Sequence, residues 1–330
     1  LDWELFSVPK EPTIELILSG VEKAVHAGSD LVIAIGGGSV IDSGKAIAAL
    51  MTNPGNPMDY LEVVGKGLPI SKPPAPFMAM PTTAGTGAEV TRNSVLLSEE
   101  HQVKVSMRSP LMLPDIAIVD PELTYSMPPH ITAGTGLDAL TQLMEAFVSP
   151  YANPMTDALC REGIKRAAPA LERAYVDNSD KSARNDMCLA SLWGGVALAN
   201  AKLGAVHGIA GPFGGMFPSP HGAVCGRLLP EVIEVNINAL QQRFPGSKAL
   251  TRYEEIAGMV LSSQESSAMD GAAWVKKLCQ RLEVPSLSTY SMSEGDFENL
   301  IQQSQRSSSM QGNPVPLTNQ ELKVILRQAM

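Results

Sequence analysis

Several classes of protein are excluded by what this chain of 330 residues lacks. Its formal net charge is -9, so no broad basic surface is expected that would favour DNA or RNA. No uninterrupted apolar run approaches the roughly 20 residues that a bilayer-spanning helix needs, and no stretch has the charged-then-apolar pattern of a secretion signal. These absences predict a cytoplasmic protein that binds neither nucleic acid nor a membrane.

Cysteine and histidine are scarce, with four and five residues respectively. The cysteines are widely separated and form no CxxC pair, which indicates reduced thiols rather than a disulfide framework or a zinc cluster. They are Cys160, Cys188, Cys225 and Cys279.

The chain has 44% hydrophobic residues and the length of roughly two domains of about 150 residues. Residues 1–125 alternate short apolar runs with helical stretches, the pattern of a parallel α/β sheet. The spacing predicts strands at 31–35 (buried), 77–80 and 116–119, and a hairpin with arms at 95–97 and 103–105 around 98–102. Because the chain begins at Leu1 inside what is interpreted as a strand, we expect an N-terminally shortened sequence.

Residues 126–330 have a different character. Alanine, leucine and charged residues recur at helical spacing through most of 131–330, with glycine and proline breaks at 211–220 and 285. The pattern predicts a second, all-helical domain.

A glycine triplet follows the first predicted strand, at residues 36–38. Ser39 is predicted to cap a helix running to about Met51, and such a helix start can receive a pyrophosphate on its free N–H groups. The same triplet also suits a tight strand-to-helix turn. Asp42 and Lys45, on the next turns, are either surface charges or part of the same site.

A second loop, PTTAGTGAEVT at 81–91, follows the second predicted strand. Its four threonines and two glycines offer hydroxyl and backbone donors to phosphate or ribose, although a structural loop uses the same residues as turn formers. Two such loops, each after a strand, favour nucleotide binding. Neither is a GxGxxG fingerprint.

The candidate metal ligands are an acidic residue and two histidines. Asp138 and Gln142 stand four apart and so share a helix face, while His207 and His221 flank a segment rich in glycine and proline that can bring a helix residue and a later loop residue together. His26, His101 and His130 lie in ordinary helical, hairpin and loop contexts.

Five motifs in order carry a family resemblance: GGGSxxDxxK (36–45), PTTAGTGAEVT (81–91), GLDAL (136–140), AVHGIAGPFGG (205–215) and SPHG (219–222). Together they resemble the iron-containing (group III) alcohol dehydrogenase family. The resemblance implies the dehydroquinate synthase-like architecture: a dinucleotide-binding α/β domain with a parallel sheet, an all-α domain, and an active site in the cleft between them.

The resemblance also implies site residues, a cofactor (NAD or NADP), a metal (Fe²⁺ or Zn²⁺), and a homodimer or larger homo-oligomer. Asp138, His207 and His221 match three of the family's four metal positions and would act in catalysis through the metal, with Gln142 as a possible fourth ligand. The implied cofactor-binding residues are Gly37, Gly38, Ser39, Asp42, Thr82, Thr83, Thr91 and Lys104.

Three departures from the family pattern stand out. The family commonly has histidine where this chain has Gln142, and an amide oxygen is a weaker ligand for iron or zinc. It also has a second active-site histidine where this chain has Gly211. Relatives such as glycerol dehydrogenases hold zinc with three protein ligands, which is chemically sufficient. The third departure is at the N-terminus. Members of the family have a further βαβ portion before the position where this chain starts, and that portion contains the residue that selects NAD or NADP.

The leading hypothesis is an NAD(P)-dependent, metal-assisted alcohol dehydrogenase, or aldehyde or ketone reductase, acting on a small substrate. A metal-independent reductase of the maleylacetate reductase type is the first alternative. A dehydroquinate synthase-like lyase would need several basic residues, but the segments 131–145 and 203–226 have only Lys202 and Arg227 beside them. A non-catalytic relative is the remaining alternative.

Overall fold

The computed structural model describes residues 2–101 and 103–330, so Leu1 and Gln102 lie outside the described residues. The described chain forms two compact units. The first contains the residues up to Thr83 together with Gly87–Thr124, and the second contains Ala84–Thr86 and Tyr125–Met330. The prediction of a strand at the start of the chain was wrong for residues 2–12, which form no strand.

The first unit contains the predicted parallel sheet, with strand order β1-β2-β5, and the predicted antiparallel hairpin of β3 and β4. The strand predicted at 116–119 is shorter than expected, since only two of its residues pair with β2. The elements are α1 (Ile14–His26), β1 (Val32–Gly36), α2 (Gly38–Thr52), α3 (Pro57–Tyr60), β2 (Phe77–Pro81), β3 (Asn93–Ser98), β4 (Val103–Arg108) and β5 (Ile116–Ala117).

The register of β1 and β2 places both glycine-containing loops at one edge of the sheet. Gly36 is opposite Pro81, and the Thr82 amide donates to the Gly36 carbonyl at 2.9 Å. Because parallel strands end at the same edge, the loop after β1 and the loop after β2 begin side by side.

The prediction that the 31–35 strand is buried was wrong for one of its two faces. Ala34 is buried against α2, but Ile33 and Ile35 are 51% and 57% exposed. Side chains alternate between the faces of a strand, and no described element covers the face that carries these two isoleucines. A continuous apolar run therefore did not mean burial on both sides.

The second unit is helical and centres on α4. This helix begins with Pro129 at its first position and is buried on nearly all sides, as expected for a core helix. It packs against α5, α6 and α8. The helices are α4 (Pro129–Val148), α5 (Pro154–Val176), α6 (Lys181–Ala201), α7 (Ala205–Met216), α8 (His221–Arg243), α9 (Lys248–Leu261), α10 (Ala268–Arg281), α11 (Phe297–Arg306) and α12 (Asn319–Ala329).

The predicted break at 211–220 begins later than expected. Helix α7 continues through Gly211 and Pro212 to Met216. Phe213 is fully buried and contacts the rings of Phe217 and Tyr290, so tertiary packing holds the helix across a proline that would otherwise end it. The break predicted at 285 is confirmed, since it follows the end of α10.

Among the described residues, no single helix has the length and apolarity needed to cross a membrane. Within the same described residues, the pair of α6 and α7 reaches that composition when the two helices are taken together, and they are bent by 100° at their junction.

Candidate metal centre and cofactor loops

One face of α4 carries the polar side chains of the candidate metal centre. Asp138, Gln142 and Glu145 are four and three residues apart, so their side chains project from the same side of the helix. All three are buried. A core helix that buries two carboxylates and an amide must satisfy them locally, because an unpaired buried charge is costly.

A close approach of two helices brings His221 to this face. A Cβ atom at Gly222 would lie 2.1 Å from the carbonyl oxygen of Gly134, so α8 and α4 touch backbone to backbone there. His221 is the first residue of α8 and follows Pro220, rather than lying in a loop as predicted. The contact at Gly134 is one helical turn before Asp138.

His207 reaches the same point from α7. Its Nε2 atom is 3.1 Å from Asp138 Oδ1, and its Nδ1 atom is 2.6 Å from Glu145 Oε2. The Nε2 atom of His221 is 3.9 Å from Asp138 Oδ1. The three residues predicted to share a metal therefore converge. The other histidines stay apart, although His130 lies in the first turn of α4 and not in a loop.

Cys225 belongs to the same cluster, although none of the sequence motifs indicated it as a ligand. Its Sγ atom is 3.5 Å from His221 Nε2. Ligand atoms of Asp138, His207, His221 and Cys225 all lie within 4.8 Å of one another. The sequence signal for Cys225 is its spacing of four residues from His221, which places both side chains on one face of a helix. That spacing indicates a shared site only if His221 lies in a helix, and it was predicted to lie in a loop.

The cluster is strongly coupled electrostatically. Burial favours the neutral form of each group, but the opposite charges outweigh it. The thiolate of Cys225 and the hydrogen bonds to Asp138 and Glu145 hold the pKa of His207 well above its ordinary value. The charges of His221 and His207 lower the pKa of Cys225 despite its burial, and a hydrogen bond from His207 likewise lowers the pKa of Asp138.

Glu145 orients His207 and was also missed. Its Oε1 atom accepts from the Val206 amide at 2.7 Å, while Oε2 faces His207 Nδ1. Gly204 leaves room for this carboxylate, since a Cβ there would lie 2.8 Å from Oε1. The protonated ring donates from Nδ1 to Glu145 and from Nε2 to Asp138. In the neutral ring, a carboxylate on Nδ1–H keeps the proton there and leaves Nε2 with the lone pair that a cation would need. The sequence signal was a third polar residue seven positions after Asp138.

Gln142 takes part in the cluster as a hydrogen-bond donor. Its Nε2 group donates to Asp138 Oδ2 at 3.2 Å, to the Gly85 carbonyl at 3.2 Å and to the Thr86 carbonyl at 3.3 Å. The amide thus ties Ala84–Thr86, the part of the threonine-rich loop that belongs to the second unit, to α4.

Replacing Gly222 by alanine is expected to lower the free energy of unfolding by about 1–3 kcal/mol. The added methyl group would meet the backbone of Gly134, which cannot rotate away. Chemical denaturation measures the loss. Gly211→Ala is the matched control: a Cβ there meets nothing within 4 Å, and alanine favours a helix interior by about 1 kcal/mol over glycine. Equal stability losses in both variants would contradict the close packing of α4 on α8.

The two cofactor loops meet at Gly37 and Thr83. Gly37 is the N-cap of α2 and provides no side-chain cap, and Ser39 lies in the first turn, so the prediction that Ser39 caps the helix was wrong. A Cβ at Gly37 would lie 3.4 Å from Thr83 Cγ2. Three other residues implied for the cofactor adjoin this contact in the chain and are partly exposed: Gly38 and Ser39 at the start of α2, and Thr82 after β2.

The remaining residues implied for the cofactor are engaged inside the first unit. Asp42 forms an ion pair with Lys45 at 3.2 Å and accepts from the Val95 amide at 3.1 Å, so it is not a surface charge. The Thr91 hydroxyl is buried and accepts from Lys45 at 3.1 Å. Lys104, on β4, forms an ion pair with Glu11 at 3.0 Å. These contacts connect α2, the hairpin and the chain before α1.

Family models match both units of the chain. Residues 1–121 match the model "Iron-containing alcohol dehydrogenase", and residues 132–330 match "Fe-containing alcohol dehydrogenase family, C-terminal". The matches together cover nearly the whole chain.

Named relatives and solved structures agree with the models. The chain is 37% identical over 320 residues to alcohol dehydrogenase 4 of Saccharomyces cerevisiae, covering 96% of this chain and 80% of the relative. It is 36% identical to 1,3-propanediol dehydrogenase of Klebsiella pneumoniae, covering 91% and 76%. The structure of sulfoacetaldehyde reductase from Bifidobacterium kashiwanohense in complex with NAD⁺ superposes with a TM-score of 0.85 at 30% identity, covering 98% and 81%.

These matches confirm the predicted fold class, an α/β part with a parallel sheet followed by a helical part. The chain therefore belongs to the iron-containing alcohol dehydrogenase family and is an oxidoreductase that acts on CH–OH groups.

Proposed function

We propose that this protein catalyses reversible, NAD(P)-dependent hydride transfer between a small alcohol and its aldehyde or ketone, assisted by a divalent cation held by Asp138, His207 and His221. The observation that carries the proposal is the convergence of these three side chains, from α4, α7 and α8, beside the orienting carboxylate of Glu145.

The spacing of the cluster fits a divalent cation. Bonds of about 2.0–2.3 Å in a tetrahedral arrangement separate neighbouring ligand atoms by about 3.3–3.7 Å. The separations of 3.1 Å from His207 to Asp138, 3.5 Å from Cys225 to His221 and 3.9 Å from His221 to Asp138 bracket this range. All ligand atoms of the cluster lie within 4.8 Å of one another. Imidazole and carboxylate ligands suit either zinc or iron(II).

The loops of the first unit fit a dinucleotide. Helix α2 begins at Gly37 without a side-chain cap, so its first N–H groups are available to a pyrophosphate. The glycines at this start allow a phosphate to approach the backbone, and Thr82 and Thr83 offer hydroxyl groups from the next loop. A relative in this family was solved with NAD⁺; for the present chain both NAD and NADP are proposed.

The chain's own residues prepare the site for hydride transfer. When bound, the cation polarises the substrate oxygen and the nicotinamide ring exchanges the hydride. Asp138 supplies negative charge to the cation site, and Glu145 keeps the Nδ1 proton of His207 in place so that Nε2 faces inward. Gly211 offers no imidazole one turn after His207, so this chain supplies no histidine proton acceptor at that position.

The proposed function is tested by the oxidation of small alcohols with NAD⁺ or NADP⁺ and the reduction of small aldehydes with NADH or NADPH, before and after treatment with a chelator. We expect chelation to abolish turnover, zinc or iron(II) to restore it, and His207→Ala to lower both metal content and activity by at least about 100-fold. His26→Ala, at an exposed helix end, is the control. Full turnover in metal-free protein would instead identify a metal-independent reductase.

A further inference from the structure

We propose that Cys225, and not Gln142, supplies the fourth protein ligand of the cation site, which makes it an Asp-His-His-Cys centre suited to zinc. The inference deepens the proposed function and rests on its metal site.

The orientation of Gln142 argues against a ligand role for its amide. An amide nitrogen has no lone pair to offer a metal, and it is this end of the side chain that faces Asp138. Its oxygen points the other way, where a Cβ at Gly194 would be 3.1 Å from it. The Oε1 atom is buried without a hydrogen-bond partner among the described residues.

Turning the amide over would not repair this arrangement. The oxygen would then face three acceptors, Asp138 Oδ2 and the carbonyls of Gly85 and Thr86, at 3.2–3.3 Å. Three close contacts between acceptors would cost more free energy than one unsatisfied oxygen, so the observed orientation is the favourable one. Gln142 is therefore a positioning residue, which holds the Asp138 carboxylate and the Gly85–Thr86 backbone together.

Cys225 provides a thiol, a soft donor, to the cluster. It is buried, and its sulfur lies one helical turn after the His221 ring at a distance that matches two ligands of one tetrahedral ion. Cys279 is engaged elsewhere, since its thiol donates to the Gly226 carbonyl at 3.1 Å. Of the four thiols, only that of Cys225 belongs to the cluster with Asp138 and the two histidines in the described chain.

The donor set has a consequence for metal choice. A thiolate is a soft ligand and favours zinc over harder cations, while imidazole and carboxylate accept either zinc or iron. Catalytic zinc sites admit a further donor during turnover, so a fourth protein ligand is compatible with the proposed reaction. We expect the purified protein to retain zinc in preference to iron(II) when both are supplied.

Cobalt(II) substitution tests the ligand directly, because a cobalt–thiolate bond produces a charge-transfer absorption band in the near ultraviolet. We expect this band in the Co²⁺-loaded wild-type protein and its loss in Cys225→Ser. Removing a residue that only hydrogen-bonds to a metal ligand lowers metal affinity by about 10–100-fold. Loss of a ligand should cost at least as much, so we expect Cys225→Ser to weaken zinc binding by at least about 100-fold in a competition assay. Cys279→Ser is the matched buried control and should retain both the band and the affinity.

A Gln142→Met variant completes the test, since it removes the amide and leaves Cys225 in place. The band should persist in this variant. Folded, Co²⁺-loaded wild-type protein without the band would overturn the assignment of Cys225, even if metal-dependent turnover is found. Conversely, a band that depends on Cys225 in a protein without alcohol or aldehyde turnover would leave the ligand assignment standing and contradict the proposed function.

Discussion

Replacing Lys45 by methionine is expected to destabilise the protein by about 3–5 kcal/mol, the range found when one partner of a buried ion pair is removed. Lys45 is almost completely buried on α2. Its ammonium group pairs with Asp42 at 3.2 Å and donates to the Ala88 carbonyl at 3.0 Å and to Thr91 Oγ1 at 3.1 Å, with a further hydrogen bond to the Asn93 carbonyl.

The size of the effect follows from what is left behind. Methionine has a similar length but no charge, so the Asp42 carboxylate and two or more carbonyl oxygens would lose their donor in a buried place. Burial already lowers the pKa of Lys45 and raises the pKa of Asp42, although each charge partly offsets the effect on the other. The lysine thus carries the contacts that hold the 88–93 segment onto α2.

Lys66→Met is the matched control for this experiment. Lys66 pairs with Asp59 at 2.7 Å, a shorter distance than that between Lys45 and Asp42, but its side chain is 72% exposed. An exposed pair is worth about 0–1 kcal/mol. Urea unfolding followed by circular dichroism measures both variants, and hydrogen exchange of the α2 and β3 amides locates the change. Similar losses in the two variants would refute the role assigned to Lys45.

The local elements were predictable where the sequence pattern is short-ranged. Strands β1 and β2 and the hairpin arms follow from apolar runs bounded by turn residues. What periodicity could not supply is the environment of each face. Ile33 and Ile35 belong to an apolar run that indicates burial, but their exposure depends on which element packs above the sheet. The long α7 likewise depends on the burial of Phe213, a tertiary contact that overrides Gly211 and Pro212.

The candidate site was predictable in its residue types and only partly in its geometry. Asp138, His207 and His221 were found because histidine is scarce and the motifs have a family order. Cys225 and Glu145 were missed because their roles depend on where α8 begins and on the contact of α7 with α4. The orientation of Gln142 was also beyond the sequence, since it is set by carbonyl groups more than fifty residues earlier.

Replacing Glu145 by glutamine is expected to weaken zinc binding by about 10–100-fold, the usual effect of losing a carboxylate behind a histidine ligand. The two oxygens of the Glu145 carboxylate accept separately from the Val206 amide and from His207 Nδ1–H. A glutamine in the same place has only one oxygen, so its NH₂ group must face one of these two donors. Where the NH₂ group faces Nδ1, His207 adopts the other tautomer, and its Nε2 atom then carries a proton instead of a lone pair. Competition with a chromophoric chelator measures the loss.

The same variant should lower the stability of the metal-free protein, and the loss should depend on pH. The pKa of His207 is raised in the folded protein, so its charged contacts stabilise the fold fully below about pH 6.5, the ordinary histidine value, and lose this effect as pH rises through the raised pKa. The difference in unfolding free energy between wild type and Glu145→Gln should therefore be largest near pH 6 and should narrow at higher pH.

Glu255→Gln provides the control for that pH dependence. Glu255 pairs with the always-protonated Arg161 at a partly exposed position, so its removal should have a small effect that stays constant over the same range. A pH-independent loss in Glu145→Gln, together with unchanged zinc affinity, would show that Glu145 only anchors the start of α7 through Val206. A loss that narrows with pH, joined to weaker zinc binding, identifies Glu145 as the residue that fixes the proton on His207.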